Sequence, residues 1–441
     1  MSPLISSLVH ADKSAVLADS ARFWNPDKVH AWAARGVDLV IGRREGYHLY
    51  DMGGRRLIDL HLNGGTYNLG HRNPEIIAEL KEALDHFDMG NHHFPAVGRA
   101  ALAKVLVENS PPNMRYAIFA SGGGEAIDIA LKCARYGTRR KKIVSIRHAY
   151  HGHTGLALGT AADRYAKQFL SEGHPAEYAK VPFNDLAAME AALSAGDAAC
   201  VIMETIPATY GFPMPEDGYL PAVKALCVKY GSLYIADEVQ TGLMRCGGGD
   251  LWGITGYGVT PDIIVTGKGL SGGLYPIAAA IVNEQAGGWL SEDGWGHIST
   301  FGGAELGCVA ALKTLEITLR PETVANVEQI ATRLRSGLEE IKARHDGYFT
   351  GIRQRGVIFG LEFGTHPQGA KQVMRGLYQN GIWAIFSQLD QSVLQFKPGL
   401  LLTPADCDEI LTRTADGIAA AAQHGSADFI APARVPAVNH Q

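Results

Sequence analysis

The chain has 441 residues, 46% of them apolar and 19% charged, with a formal net charge of −5; one hydrophobic core rarely serves such a length, so two lobes are expected. This balance argues against a nucleic-acid or anionic-membrane partner, and small anionic ligands must be held by local groups. The opening MSPLISSLVHADKSA lacks a basic stretch followed by a sustained apolar one, and no run nears ~20 apolar residues, so neither a secretory signal nor a membrane span is expected. The six cysteines have no C-x-x-C spacing and read as reduced, buried thiols of a cytoplasmic protein.

Residues 1–45 offer only Phe23, Trp24 and Pro26, which suggest an irregular arm. YHLYDMGGRRLIDLHLN alternates around Gly53-Gly54, a hairpin signal. Asn63 to Asn73 reads as a loop, Pro74 opens a helix through about Asp85, and residues 88–95 form a second loop before a helix over about 97–108. The run Tyr116 to Ala120 is followed by Ser121-Gly122-Gly123-Gly124 and a helix, Glu125 to Tyr136, with Ile127, Ala130, Leu131 and Ala134 on one face. A glycine turn feeding a helix N-terminus suits an anion, because free N–H groups and the positive dipole end meet there, although GGG alone also fits a plain tight turn. The spacing is not that of a dinucleotide fingerprint. A strand at Lys142 to Ile146 leads into HAYHGH, whose His148, His151 and His153 lack a carboxylate or thiolate to complete a metal set.

Residues 164–197 look like an insertion with helical portions, and Ala199 to Met203 is a strand ending at Glu204. Two further short apolar runs, Leu233 to Ala236 and Ile263 to Val265, each end in charge, as buried parallel strands do at an active site. The first delivers Asp237 and Glu238, the second Lys268 between two glycines that imply a closely approached backbone. The pairing of Asp237 with Lys268 suits pyridoxal phosphate: the aspartate keeps the pyridine nitrogen protonated, and the lysine condenses with the aldehyde as a Schiff base. A strand at Ile277 to Val282, a loop at 288–297, helices from Glu305 to Thr318 and Glu322 to Ala343, the strand pair in GIRQRGVIFGLEF, a strand in VLQFKPGLLL and a helix from about Pro404 follow. Gly425 to Gln441 reads as a loose tail.

Six motifs, SGGGEAIDIALKCAR (121–135), AYHGHT (149–154), IMET (202–205), IADEVQTGLMRCG (235–247), PDIIVTGKGLSGG (261–273) and STFGG (299–303), stand in the order found in class III (omega-type) aminotransferases of the fold type I pyridoxal phosphate superfamily, which the chain resembles from about Gly46 to Leu402. The resemblance implies a mostly parallel central sheet flanked by helices, with a smaller α+β domain formed by both ends of the chain. Residues 1–75 would give an N-terminal arm and meander, 76–320 the large cofactor-binding domain, 321–424 the small domain and 425–441 the tail. It implies pyridoxal 5'-phosphate held by Gly123 and Gly124 at the phosphate, Tyr150 and Val239 on the two ring faces, Gln240 near the phenolic oxygen, Asp237 at the ring nitrogen and Lys268 at the carbonyl carbon. Lys268 and Asp237 are then the catalytic pair. Thr300 would reach the phosphate of a neighbouring subunit, making a homodimer with shared sites.

Candidate substrate residues are Tyr67, Glu204 and Gln395. Many members carry an arginine where this chain has Gln395, and that arginine pairs with a substrate carboxylate or with the glutamate matching Glu204. Without it, Glu204 is expected to take another cation, Lys397 on the same strand face or Arg353. The resemblance implies amino transfer between a small amine or amino acid and an oxo acid or aldehyde. Racemisation, amino-group migration and decarboxylating transamination share the same cofactor residues, and a non-catalytic binding protein is the reading from a different class.

Overall fold

The computed structural model describes residues 2, 5, 6, 11–364 and 368–423; the tail read at Gly425 to Gln441 lies outside them. Three strands near the start, β1 (Ile41–Glu45), β2 (His48–Asp51) and β3 (Arg56–Asp59), form the expected hairpin with one strand added. The middle of the chain supplies β4 (Met114–Ala120), β5 (Lys142–Ile146), β6 (Tyr178–Val181), β7 (Ala198–Glu204), β8 (Leu233–Asp237), β9 (Ile263–Thr266) and β10 (Ala278–Asn283). These build one seven-stranded sheet in the order β4-β10-β9-β8-β7-β5-β6. Every pair from β9 to β6 is parallel, and β10 runs antiparallel to both its neighbours.

Strands β7, β8 and β9 are buried at every residue, which is why they read as continuous apolar runs. Side-chain alternation splits them between two layers. Ile235, Ile263 and Val265 pack with Ile127, Ala130 and Leu131 of the helix Gly123–Thr138, whereas Tyr234, Ala236 and Ile264 face Val223, Cys227 and Leu315 on the other side. The remaining strands, β11 (Gly351–Arg355), β12 (Ile358–Glu362), β13 (Ile382–Trp383), β14 (Ile385–Phe386) and β15 (Val393–Phe396), lie at the far end of the chain. Strand β13 joins β3 in parallel, and β11-β12-β15-β14 make a third sheet. A separate core joins Leu57, Ile58 and Leu60 to Leu334, Phe359, Leu377, Phe396 and Ile410, so both ends of the chain share it.

The N-terminal segment departs from the expected irregular arm. Lys13–Asp19 and Pro26–Ala34 are α-helices joined by a π-helical turn, Ser20–Trp24. Asn25 caps the second helix by accepting the Lys28 N–H at 3.0 Å, and Pro26 occupies its first turn. No helix among the described residues is long and apolar enough to cross a membrane.

Candidate active site

Parallel pairing brings the strand ends together. Glu204 and Asp237 are register partners on β7 and β8, Asp237 is opposite Val265 on β9, and Lys268 follows three residues beyond. Together with Gly123, Gly124, Tyr150, Val239 and Gln240 they line one cavity of about 220 Å3. Seven of the eight expected cofactor residues therefore converge there.

The glycine turn does what its position suggests. The helix Gly123–Thr138 opens into the cavity, so its first N–H groups and positive dipole end face the space. The loop carrying Tyr150 lies directly on it: Gly152 has φ +104°, and a Cβ there would stand 2.7 Å from the Gly124 Cα. Only glycine permits this crossing.

Asp237 is gripped on both oxygens. One accepts the Val239 N–H at 3.1 Å, and the other lies 2.7 Å from His151 Nδ1, with both side chains almost fully buried. His151, one of the three histidines of HAYHGH, thus holds the central carboxylate. His148 instead stacks on Tyr210 at 4.5 Å and His153 lies 4.6 Å from the Tyr165 ring, so the three histidines face different neighbours. Among the described residues no three or more His, Cys, Asp or Glu side chains are grouped to hold a metal.

Lys268 has φ +40°, in the left-handed region, and burial pushes its amine below the usual lysine value against the pull of Asp237 and Glu204. Gly64 covers it. A Cβ on Gly64 would lie 2.8 Å from Lys268 Cε and 3.3 Å from Gln240 Oε1. The Gly64-Gly65 doublet was visible in the sequence, yet nothing local tied it to Lys268. On the other side, a Cβ on Gly269 would meet Asn68 Nδ2 at 2.8 Å, which accounts for the glycine.

Glu204 is buried, and its two oxygens accept the N–H groups of Tyr150 and Ala208, each at 3.0 Å. Burial raises its pKa to about 7. The expected cationic partner is absent among the described residues. Lys397 is fully buried but donates to Gln395 Oε1, and Arg353 binds Glu362 at 2.6 Å and the Gly211 carbonyl at 2.8 Å. Both are committed elsewhere because Lys397 and Gln395 share one strand face and reach each other first, while Arg353 sits beside Glu362 on the paired strand β12.

Three expected residues do not line the cavity. Gln395 is buried beside it, Tyr67 packs on the His71 ring at 3.9 Å, and Thr300 is exposed on the loop before Gly302.

The family profile described as Aminotransferase class-III matches residues 31–418. An uncharacterized aminotransferase of Archaeoglobus fulgidus is 43% identical over 413 residues, covering 93% of this chain and 95% of that protein. Among solved structures, an ornithine aminotransferase from Toxoplasma gondii, described with partial occupancy of PLP at its active site, superposes with a TM-score of 0.84 at 23% identity over 96% of this chain and 98% of that one. An N-acetylornithine aminotransferase from Stenotrophomonas maltophilia gives 0.75 at 25% identity over 92% and 98%.

Proposed function

The chain belongs to the class-III aminotransferases and transfers amino groups, and from that premise we propose that Lys268 and Asp237 carry the reaction on pyridoxal 5'-phosphate in this cavity. Three observations fit that group to these residues. Gln240 Oε1 is buried without a partner among the described residues, a helix N-terminus opens into the cavity, and a primary amine and a carboxylate line the same space. Bound there, the cofactor supplies an electrophilic carbonyl carbon and an electron-withdrawing ring.

The protein's own contributions follow from the contacts. Asp237, fixed by Val239 N–H and His151, would keep a proton on the ring nitrogen. Tyr150 and Val239 would enclose the ring, and Gln240 would meet its phenolic oxygen. Lys268 Nζ has its neutral form favoured by burial, so it can attack a carbonyl carbon and later take a proton from the donor carbon. Convergence of Lys268, Asp237 and the glycine turn in one cavity is the observation that carries this reading. Borohydride reduction of the loaded enzyme followed by peptide mapping should place the cofactor on Lys268; a label on another lysine would refute the assignment.

An omega-type specificity, with weak use of 2-oxoglutarate, is supported by Gln395 standing where an arginine clamp would be. A homodimer with Thr300 serving the neighbouring site is supported by exposed Phe94, Val97, Trp295, Ile298 and Phe301. A small lobe made from residues 1–75 and 321–424 around the large lobe 76–320 is supported by their shared core. Cytoplasmic residence is supported by six free, buried cysteines.

A further inference from the structure

Few charges line the cavity, and most have a partner. Its ionisable side chains are those of Tyr150, His151, Glu204, Asp237 and Lys268. Asp237 is held by His151 and by the Val239 N–H, and Lys268 is committed to the cofactor in the proposed function. Glu204 remains. Each of its oxygens takes one backbone N–H and keeps a second lone pair, and no lysine, arginine or histidine nitrogen lies within 4 Å of it among the described residues.

The nearest polar strand cannot neutralise it. Gln395 Nε2 donates to the Ala208 carbonyl at 2.9 Å and to Ser387 Oγ at 3.0 Å, while its Oε1 accepts from Lys397 Nζ. The same Ala208 peptide gives its N–H to Glu204. Gln395 therefore braces the turn that presents the carboxylate. The Lys397 amine, which burial pushes well below the usual lysine value, faces Gln395, with His61 Nδ1 at 3.5 Å and the Phe212 ring at 5.4 Å, and does not line the cavity.

An entering carboxylate would thus find no lining lysine or arginine other than Lys268, whereas an entering ammonium would find Glu204 without a cationic partner among the described residues. Resting on the amino-transfer reading, we propose that Glu204 is a specificity-determining residue that binds a second ammonium group, and that the preferred amino donors are diamines. The reacting amine is directed to Lys268, and the distal ammonium donates charged N–H···O bonds to the Glu204 carboxylate away from bulk water.

The test compares kcat/KM for diaminoalkanes of three to six carbons with the monoamines of the same length and with 4-aminobutanoate, using one fixed oxo acceptor. Wild-type enzyme should prefer the best diamine to its monoamine by roughly tenfold or more, the scale of a charge-assisted hydrogen bond. In Glu204→Gln that ratio should fall toward one, with the loss mainly in KM; a purely structural role would depress both donors alike and leave the ratio intact. Gln395→Arg, which brings a guanidinium toward Glu204, should lower the diamine ratio and raise use of 4-aminobutanoate, and it decides the matter if Glu204→Gln fails to fold. A wild-type ratio near one, a ratio that survives Glu204→Gln, or a wild-type preference for 4-aminobutanoate would overturn the proposal, the last by assigning recognition to Lys397. Transfer from none of these amines while amino acids still serve as donors would overturn the proposal alone; transfer from no amine or amino acid would refute the amino-transfer reading on which it rests.

Discussion

Glu204 is also where pH should act on the protein's stability. Its folded-state pKa of about 7 stands above the ordinary 4.5, with burial as the main cause; the titratable groups facing it are His151, Asp237, Tyr150, Tyr165, Lys268 and Lys397. Between those two values the folded chain holds a proton that the unfolded chain has released. The stabilisation is therefore complete below about pH 4.5 and is lost as pH rises through about 7, at up to about 1.4 kcal/mol per pH unit. Relative to Glu204→Gln, cofactor-free wild-type protein should lose stability from pH 5.5 to 7.5 in urea unfolding. Parallel curves for the two proteins would mean that the carboxyl is already ionised at pH 5.5. At this scale the sequence was partly legible. Glu204, Asp237 and Lys268 stand at the ends of apolar strands and could be read from position alone. The contact of His151 with Asp237 could not, because it joins β8 to a loop after β5 that no local pattern relates to it. Period-2 logic placed Lys397 on the right face but could not show that Gln395 on the same face would claim it, or that backbone N–H groups would satisfy Glu204.

Among the elements, the loop that carries Tyr150 and the helix Gly123–Thr138 form a single unit through the contact of Gly152 with Gly124. A side chain at 152 would have to adopt φ +104° and push into the Gly124 backbone. Gly152→Ala should therefore weaken cofactor retention by at least tenfold while the protein stays folded, measured by equilibrium dialysis of pyridoxal phosphate alongside circular dichroism; unchanged retention would mean that the crossing does not shape the phosphate site. Elements with strong internal signals were found by sequence: the helix Glu305–Thr318 and the buried strands β7 to β9 agree with expectation to within a residue or two. Those missed had weaker ones. Strand β6 is a four-residue edge strand, YAKV, half-buried and interrupted by lysine. The helix Pro26–Ala34 did carry a start signal, Asn25 before Pro26, but its residues bury no continuous face.

At the scale of the whole molecule, two loops far apart in sequence meet at one apolar surface. His93 lies 5.2 Å from Trp295, and Phe94, Val97, Ile298 and Phe301 are exposed around them. Thr300 sits on that surface and away from its own chain's cavity. If the surface is covered by a second copy, Lys268→Ala and Thr300→Ala chains, each with severely reduced activity alone, should regain part of it when mixed and allowed to exchange, because one site of each hybrid keeps both residues. No recovery after demonstrated exchange would argue that each chain works with its own residues only. The apolar patches were in the sequence as scattered aromatics; what could not be read is that folding sets them side by side.

The left-handed backbone at Lys268 has a consequence for how this protein can be improved. A non-glycine residue there costs about 1 to 2 kcal/mol, more than the roughly 0.5 to 1 kcal/mol that glycine's extra freedom costs, and desolvation also disfavours the lysine's charged form. Without cofactor, an inert Lys268→Gly chain should outlast the working one in a melting experiment. Directed evolution that scores survival after heating alone would then enrich dead clones, so durability in this enzyme has to be selected together with turnover.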